Sequence, residues 1–280
     1  MKLVKRYYED SPIKLGKFRC PASYPSFENT GPARGYLVVF PRETVEITHE
    51  GGMPIVANPN VLMFYNDQQE YRRRKISDRG DRCDFFDIDH ALLLDSIRRF
   101  CPQVEDDYER PFRFASRTIS DKLYLRQRQL VDHVERSELD CSQLDWDEKS
   151  IWLVDQVIEE AFLGQSTNAK SIALKSHHFD LVFDAQHFVS RHFAENVTLE
   201  QIAEAIDSSA YHLCRVFSQA CGISIHQYVT RIRMRSALEM IRGGSDLTSI
   251  AFDLGYSSHS HFTSVFRRTF GMTPRQWRNA

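Results

Sequence analysis

One pattern written twice near the end of this 280-residue chain, at an offset of 49 residues, constrains its fold more than anything else in it. Phe262, Val265, Phe266, Gly271, Thr273 and Trp277 have counterparts in Leu213, Val216, Phe217, Gly222, Ser224 and Tyr228. A helix-breaking glycine, a hydroxyl able to cap the next helix and an aromatic therefore recur in register, which chance amphipathicity does not supply. Ahead of the second copy, Asp246 can cap a helix with the apolar stripe Leu247, Ile250, Ala251 and Leu254, and Gly255 stands where the chain must reverse. Ahead of the first, Thr198 and Gln201 have the spacing of a capping box before Ile202, Ala203 and Ile206. Asp207 takes the place of Gly255, and Asp accepts turn conformations better than most residues. The copies differ in the turn, since Ala203 to Ser209 is six residues and Ala251 to Ser258 is seven. Each copy predicts a short helix, a tight turn and a second helix, over about 209–219 and 258–268. That is the outline of a helix-turn-helix, whose second helix lies in a DNA major groove. Between the copies, Ser224 to Ile241 predicts a helix with Tyr228, Ile232, Ala237, Leu238 and Ile241 inside and Arg231 and Arg235 on the wet side. About 17 helical residues span about 25 Å, a rigid spacer suited to successive major grooves about 34 Å apart.

Ser209-Ala-Tyr-His-Leu-Cys-Arg-Val-Phe217, Gly222, Tyr228, Arg233, Ala237, Ile250-Ala251, Gly255-Tyr256, Phe262, Phe266 and Phe270-Gly-Met-Thr-Pro274 carry a resemblance. The stretch from about His177 to Ala280, a little over a third of the chain, resembles the DNA-binding domain of the AraC/XylS family of bacterial transcription regulators. It departs from the family at Asp207, where glycine is usual, and at Cys214, where longer polar side chains are common. The resemblance implies that Ala210, Tyr211, Cys214 and Arg215 face bases from the first recognition helix, and His259, Ser260, Thr263 and Ser264 from the second. Arg215 is the strongest of these, because a guanidinium can bond two acceptors on guanine, while Tyr211 and Ala210 can touch thymine methyls. The second helix has no long cation or amide and is expected to position more than it reads. Arg233, Arg267 and Arg268 are the phosphate-contact residues, with a structural ion pair as the other reading of Arg233. The resemblance also implies a homodimer, a contact with RNA polymerase and an activator of transcription.

The formal charge of −2 announces no nucleic acid, but from Gln201 onward nine arginines face five acids, a net of +4. No run of about 18 apolar residues occurs and the first ten residues lack a signal-peptide core, so a cytoplasmic protein is expected. The six cysteines have no C-x-x-C spacing, which favours reduced thiols over a disulfide framework or zinc site. His177, His178, His187, His192, His212, His226, His259 and His261 offer no set of four at ligand spacing. No metal, cofactor or catalytic residue is expected.

Residues 1–120 read as a β-rich domain. Tyr36–Phe40, Thr44–Thr48, Ile55–Ala57, Val61–Tyr65, Tyr71–Ile76 and Cys83–Ile88 are strand candidates separated by turn-rich breaks, which suggests a barrel or a double-sheet jelly roll. It resembles the cupin-like barrel that many members of the family carry, and this implies a pocket for a small effector. A cupin-type enzyme is disfavoured, since His49 and His90 lack the paired metal-ligand spacing. In Tyr71-Arg-Arg-Arg-Lys75, strand alternation puts Arg72 and Arg74 on one face and Arg73 and Lys75 on the other. The bland reading is a charged edge strand. The sharper one makes Arg72 and Arg74 a clamp for an anionic effector.

Residues 121–164 predict two amphipathic helices. Ser120 caps the first, with Leu123, Leu130 and Val134 inside, and Asp145 and Glu148 resemble a capping box before the second, with Ile151, Val154, Ile158, Ala161 and Phe162. They are expected to dimerise the protein or merely to cover the β domain. Residues 165–175 are polar and aperiodic and read as a linker to the DNA-binding domain at 176–280. The fold class is α+β: a cupin-like β-barrel, a helical linker and dimerisation region, and an all-α domain with two helix-turn-helix motifs. The functional reading is a sequence-specific DNA-binding transcription regulator controlled at its first domain by a small effector or partner. The alternatives are an adaptor whose helical end binds protein, and a cupin-type enzyme with an appended DNA-binding domain.

Overall fold

Short apolar runs broken by turns become strands between Val4 and Arg117. They are β1 (Val4–Tyr7), β2 (Ile13–Cys20), β3 (Tyr36–Pro41), β4 (Val45–His49), β5 (Ile55–Ala57), β6 (Leu62–Tyr65), β7 (Tyr71–Lys75), β8 (Asp81–Ile88) and β9 (Ser116–Arg117). The computed structural model describes residues 3–28, 31–136, 142–167 and 176–280. Contacts divide the chain into two units, Met1–Lys170 and Ser171–Ala280.

In the first unit the strands form two antiparallel sheets, ordered β1-β2-β8-β3-β6-β9 and β5-β4-β7. They do not close into a single barrel. One apolar cluster takes Val39, Met63, Tyr65 and Phe85 from the larger sheet and Val45, Ile47 and Ala57 from the smaller, so the sheets pack face to face as a jelly roll does. β1 and β2 escape a sequence reading that looks for alternation. In β2 both faces are covered: Ile13 and Leu15 are buried on one side, Gly16 and Cys20 on the other. Gly16 is required there, because a Cβ would stand 1.9 Å from the Phe85 ring.

The outer face of the larger sheet is covered by helices. After α1 (His90–Arg98) and a 3-10 turn (Pro102–Asp107) come α2 (Asp121–Arg136) and α3 (Gln143–Thr167). Ser120 Oγ accepts from Leu123 N, as its position predicts. The cap of α3 is Ser142, which accepts from Asp145 N at 3.2 Å, so the helix starts earlier than the Asp145/Glu148 reading. Trp146 of α3 stacks on Phe86 with ring centroids 6.3 Å apart and donates to Ile13 O at 2.7 Å. Arg128 of α2, 2% exposed, donates to Asp84 at 2.9 Å and to Asp132 at 2.8 Å. Burial acts upward on the Asp84 carboxyl, but Arg42 and Arg128 together outweigh it and hold the group below its ordinary pKa. α3 runs through Thr167, so the stretch read as linker begins helically, and residues 168–175 lie outside the described ones.

The second unit is all-helical: α4 (Ser176–His192), α5 (Leu199–Ala205), α6 (Ala210–Cys221), α7 (Ile225–Arg242), α8 (Leu247–Asp253), α9 (His259–Phe270) and α10 (Pro274–Asn279). Its core is Leu213, Val216, Phe217, Phe262, Val265 and Phe266 with Ile232, Leu238 and Trp277 from α7 and α10. α7 packs against α6, α8, α9 and α10, and this leaves it little wet face. Arg235, expected in solvent, is therefore 1% exposed.

Candidate nucleic-acid interface

The two copies in the sequence fold to the same local geometry. Ser209 Oγ accepts from His212 N and Ser258 Oγ from His261 N, each at 3.2 Å, which fixes the first turn of α6 and of α9. Both helices end on a left-handed glycine, Gly222 at φ 70° and Gly271 at φ 74°. The next helix then opens with a capping box, Ser224 with Gln227 in one copy and Thr273 with Gln276 in the other. Ahead of the turns, Thr198 with Gln201 caps α5 and Asp246 caps α8. Hydrogen bonds from the Ser249 and Thr248 backbone hold the Asp246 carboxyl below its ordinary pKa, although burial acts the other way. The turns differ as their lengths require: Asp207 reverses the first at φ 50° and Gly255 the second at φ 76°. Gly255 lies so close to Ala194 O that a Cβ would stand 2.5 Å from it.

Leu213, Val216 and Phe217 anchor α6 from below, and this turns Tyr211 and Arg215 outward one turn apart. Tyr211 is 81% exposed, more than any other large hydrophobic side chain among the described residues. Cys214 and Ala210 flank them half-buried. Ser218 and Gln219, passed over in the sequence, continue the same exposed face and are legible only once the helix is set on its core. In α9 the corresponding outward pair is Ser260 and Ser264, with His259 and Thr263 half-buried and Arg267 and Arg268 exposed in the last turn. One face is thus long and aromatic-cationic, the other short and hydroxylated until its C-terminal end.

The arginines of this unit divide into two sets. Arg191, Arg215, Arg267, Arg268 and Arg275 are exposed. Arg233 is not among them. Its Nε donates to Phe193 O at 2.6 Å, and its Nη atoms donate to Glu195 O at 2.9 Å and Gly255 O at 3.4 Å. The guanidinium also lies 5.4 Å from the Tyr256 ring centre, and burial draws its pKa down. Neither a phosphate contact nor a carboxylate pair describes this side chain. It ties the end of α4 and the turn after α8 to α7. Arg242 sits 4.0 Å over the Trp277 ring and donates to Arg278 O, a structural role as well.

In the first unit the proposed anion clamp is inverted. Arg72 and Arg74 lie on the outer face of β7, the edge strand of the small sheet, where Arg74 is 3.6 Å from Glu46. Arg73 points inward, 3% exposed, with Nη1 on Asp81 at 2.6 Å and Nε on Phe27 O at 3.0 Å. The alternation is visible in the sequence, but which face is inner depends on pairing with β4. Among the described residues, no group of three His, Cys, Asp or Glu side chains could hold a metal ion, and no helix is long and apolar enough to cross a membrane.

A family profile described as a helix-turn-helix domain matches residues 202–280. Over 88 residues the chain is 39% identical to the HTH-type transcriptional activator RhaS of Escherichia fergusonii, covering 31% of this chain and 32% of that protein. It is 34% identical over 95 residues to the regulatory protein PocR of Salmonella typhimurium, covering 34% and 31%. Among solved structures, the C-terminal domain of AraT, a response regulator from Geobacillus stearothermophilus, is 30% identical with a TM-score of 0.35, over 38% of this chain and 86% of that one. The chain spans about a third of the length of these two curated relatives. Residues 202–280 therefore carry a helix-turn-helix domain, and the similarity to these regulators lies in that part of the chain.

Proposed function

We propose that the protein is a sequence-specific DNA-binding transcription regulator in which α6 and α9 enter successive major grooves. The supporting observation is that a serine cap, an apolar underside and a left-handed glycine recur in both helices at one offset. The rigid 18-residue α7 joins the two copies. Arg215, Tyr211, Ala210 and Cys214 read bases from α6. His259, Ser260, Thr263 and Ser264 line the second groove, where Arg267 and Arg268 take phosphates. Base reading is weighted to α6, because a guanidinium and a phenol reach further than hydroxyls.

Residues 1–164 act as the control part, through a small effector in the cupin-like fold, and no catalysis is assigned to them. A homodimer forms through α2 and α3. Their outer side exposes Trp152, Leu144 and Leu163. A groove there runs past Arg126, Leu130 and Trp152. The name of one relative, a transcriptional activator, supports activation, while RNA polymerase as a partner and a cytoplasmic location rest on the resemblance and the sequence reading alone. Selection from a random DNA pool tests the reading. Enrichment of an asymmetric site with two groove-spaced halves supports it, and recovery of no preferred sequence overturns it in favour of a protein-binding adaptor.

A further inference from the structure

The space between the two sheets of the first unit encloses a cavity of about 200 Å³. Its inner wall is mostly apolar, with Val39, Ile47, Ala57, Met63 and Phe85 buried in it, and Tyr65, Tyr71 and Cys83 add two phenols and a thiol. The one acid in the wall, Asp81, is matched by Arg73 at 2.6 Å, so the depth of the cavity carries no net charge. A polyol has little there to exchange for water, since each buried hydroxyl without a partner costs about 1–3 kcal/mol.

The rim differs. Arg34, exposed on the loop before β3, and Arg6, half-buried on β1, both line the opening. Arg6 is held by Asp87 at 2.8 Å, whereas Arg34 has no acidic partner among the described residues. Asp67 accepts from Gly35 N beside it and from Gln68 Nε2. An apolar depth below a cationic rim selects a molecule with one apolar end and one anionic end. An apolar cavity of about 150 Å³ accommodates benzene, so this one suits a single ring or a branched chain of about eight non-hydrogen atoms, short of the drug-sized range.

We propose that this cavity binds a small monocarboxylate with a compact apolar body, the body between Ile47, Met63 and Phe85 and the carboxylate at Arg34. This rests on the reading of residues 1–164 as the control part and names the chemistry of its ligand. The apolar body supplies most of the affinity by area removed from water, and the guanidinium supplies the choice of acid over neutral isostere.

Calorimetry on the full chain tests this with cyclohexanecarboxylate, its amide, glucose and dodecanoate. The acid is expected to bind at one site, the amide about tenfold more weakly for want of the charge-assisted contact, and glucose and dodecanoate not measurably. Arg34→Gln, at an exposed loop position, is expected to bring the acid down to the amide's affinity and leave the amide unchanged. Equal binding of acid and amide, preference for glucose, or an unaffected Arg34→Gln overturns the proposal, as does absence of heat with every probe. DNA affinity measured on the same samples separates the two readings. Acid binding that leaves DNA affinity unaltered supports the site and removes the control reading, whereas intact DNA selection with no acid bound overturns the site alone.

Discussion

Two arginines 18 positions apart show how far environment decides a role. Arg215 stands on the outward face of α6 beside Tyr211. Arg233 spends its donors on Phe193, Glu195 and Gly255 carbonyls. Arg215→Ala is expected to lose about 1–3 kcal/mol on the preferred site and to flatten base preference there. Arg267→Ala is expected to weaken all sequences alike and to lower the salt slope by about 1. Anisotropy titrations on matched and scrambled duplexes at several salt concentrations separate the two. Arg233→Met is expected to cost about 1–3 kcal/mol in urea unfolding by orphaning carbonyls, with base preference unchanged in the folded fraction. His49 of the first unit gives a pH signature instead. Burial pushes the His49 pKa down to about 4, while the unfolded chain titrates near its ordinary value. Between about pH 6.5 and 4 the unfolded state therefore binds the extra proton, and stability falls as pH falls, by at most about 3 kcal/mol. Urea midpoints across that range check this, and His49→Gln is expected to flatten the slope.

At the scale of elements, α2 depends on a buried ionic contact rather than on its apolar stripe alone. Arg128→Met leaves Asp84 buried without its principal helix partner, and a loss of about 3–5 kcal/mol is expected in the same unfolding measurement. Elements whose signals are local were legible in the sequence. The caps at Thr198, Ser209, Asp246 and Ser258 announce four helices, because a side chain bonding two or three residues ahead is a short-range event. Elements whose signals are distant were not. β2 hides its alternation because Trp146, more than a hundred residues on, covers one face and Phe85 the other. Which face of β7 is inner was open in the sequence for the same reason, as only register with β4 makes Arg73 the buried one. Arg235 went astray because α7 is surrounded on several sides, which a single helical stripe does not express.

For the whole molecule, a net charge of −2 conceals a division of labour between two units. Five exposed arginines in the second unit, Arg191 on α4 and Arg215, Arg267, Arg268 and Arg275 beyond it, supply its cationic surface, while the rest of its arginines are partly or fully buried. That unit has its own core and caps at every helix from α5 onward, so residues 176–280 expressed alone are expected to melt cooperatively by circular dichroism and to bind DNA. An insoluble or inert fragment would show that residues 1–164 complete its fold. In the first unit, β8 turns Cys83 and Phe85 toward the cavity and Asp84 and Phe86 toward α2 and α3. Odd and even positions of that strand therefore answer to separate demands. Substitutions at the odd ones can retune what fits inside while the helices stay moored, but inserting or deleting a single residue exchanges the two sets and destroys both at a stroke.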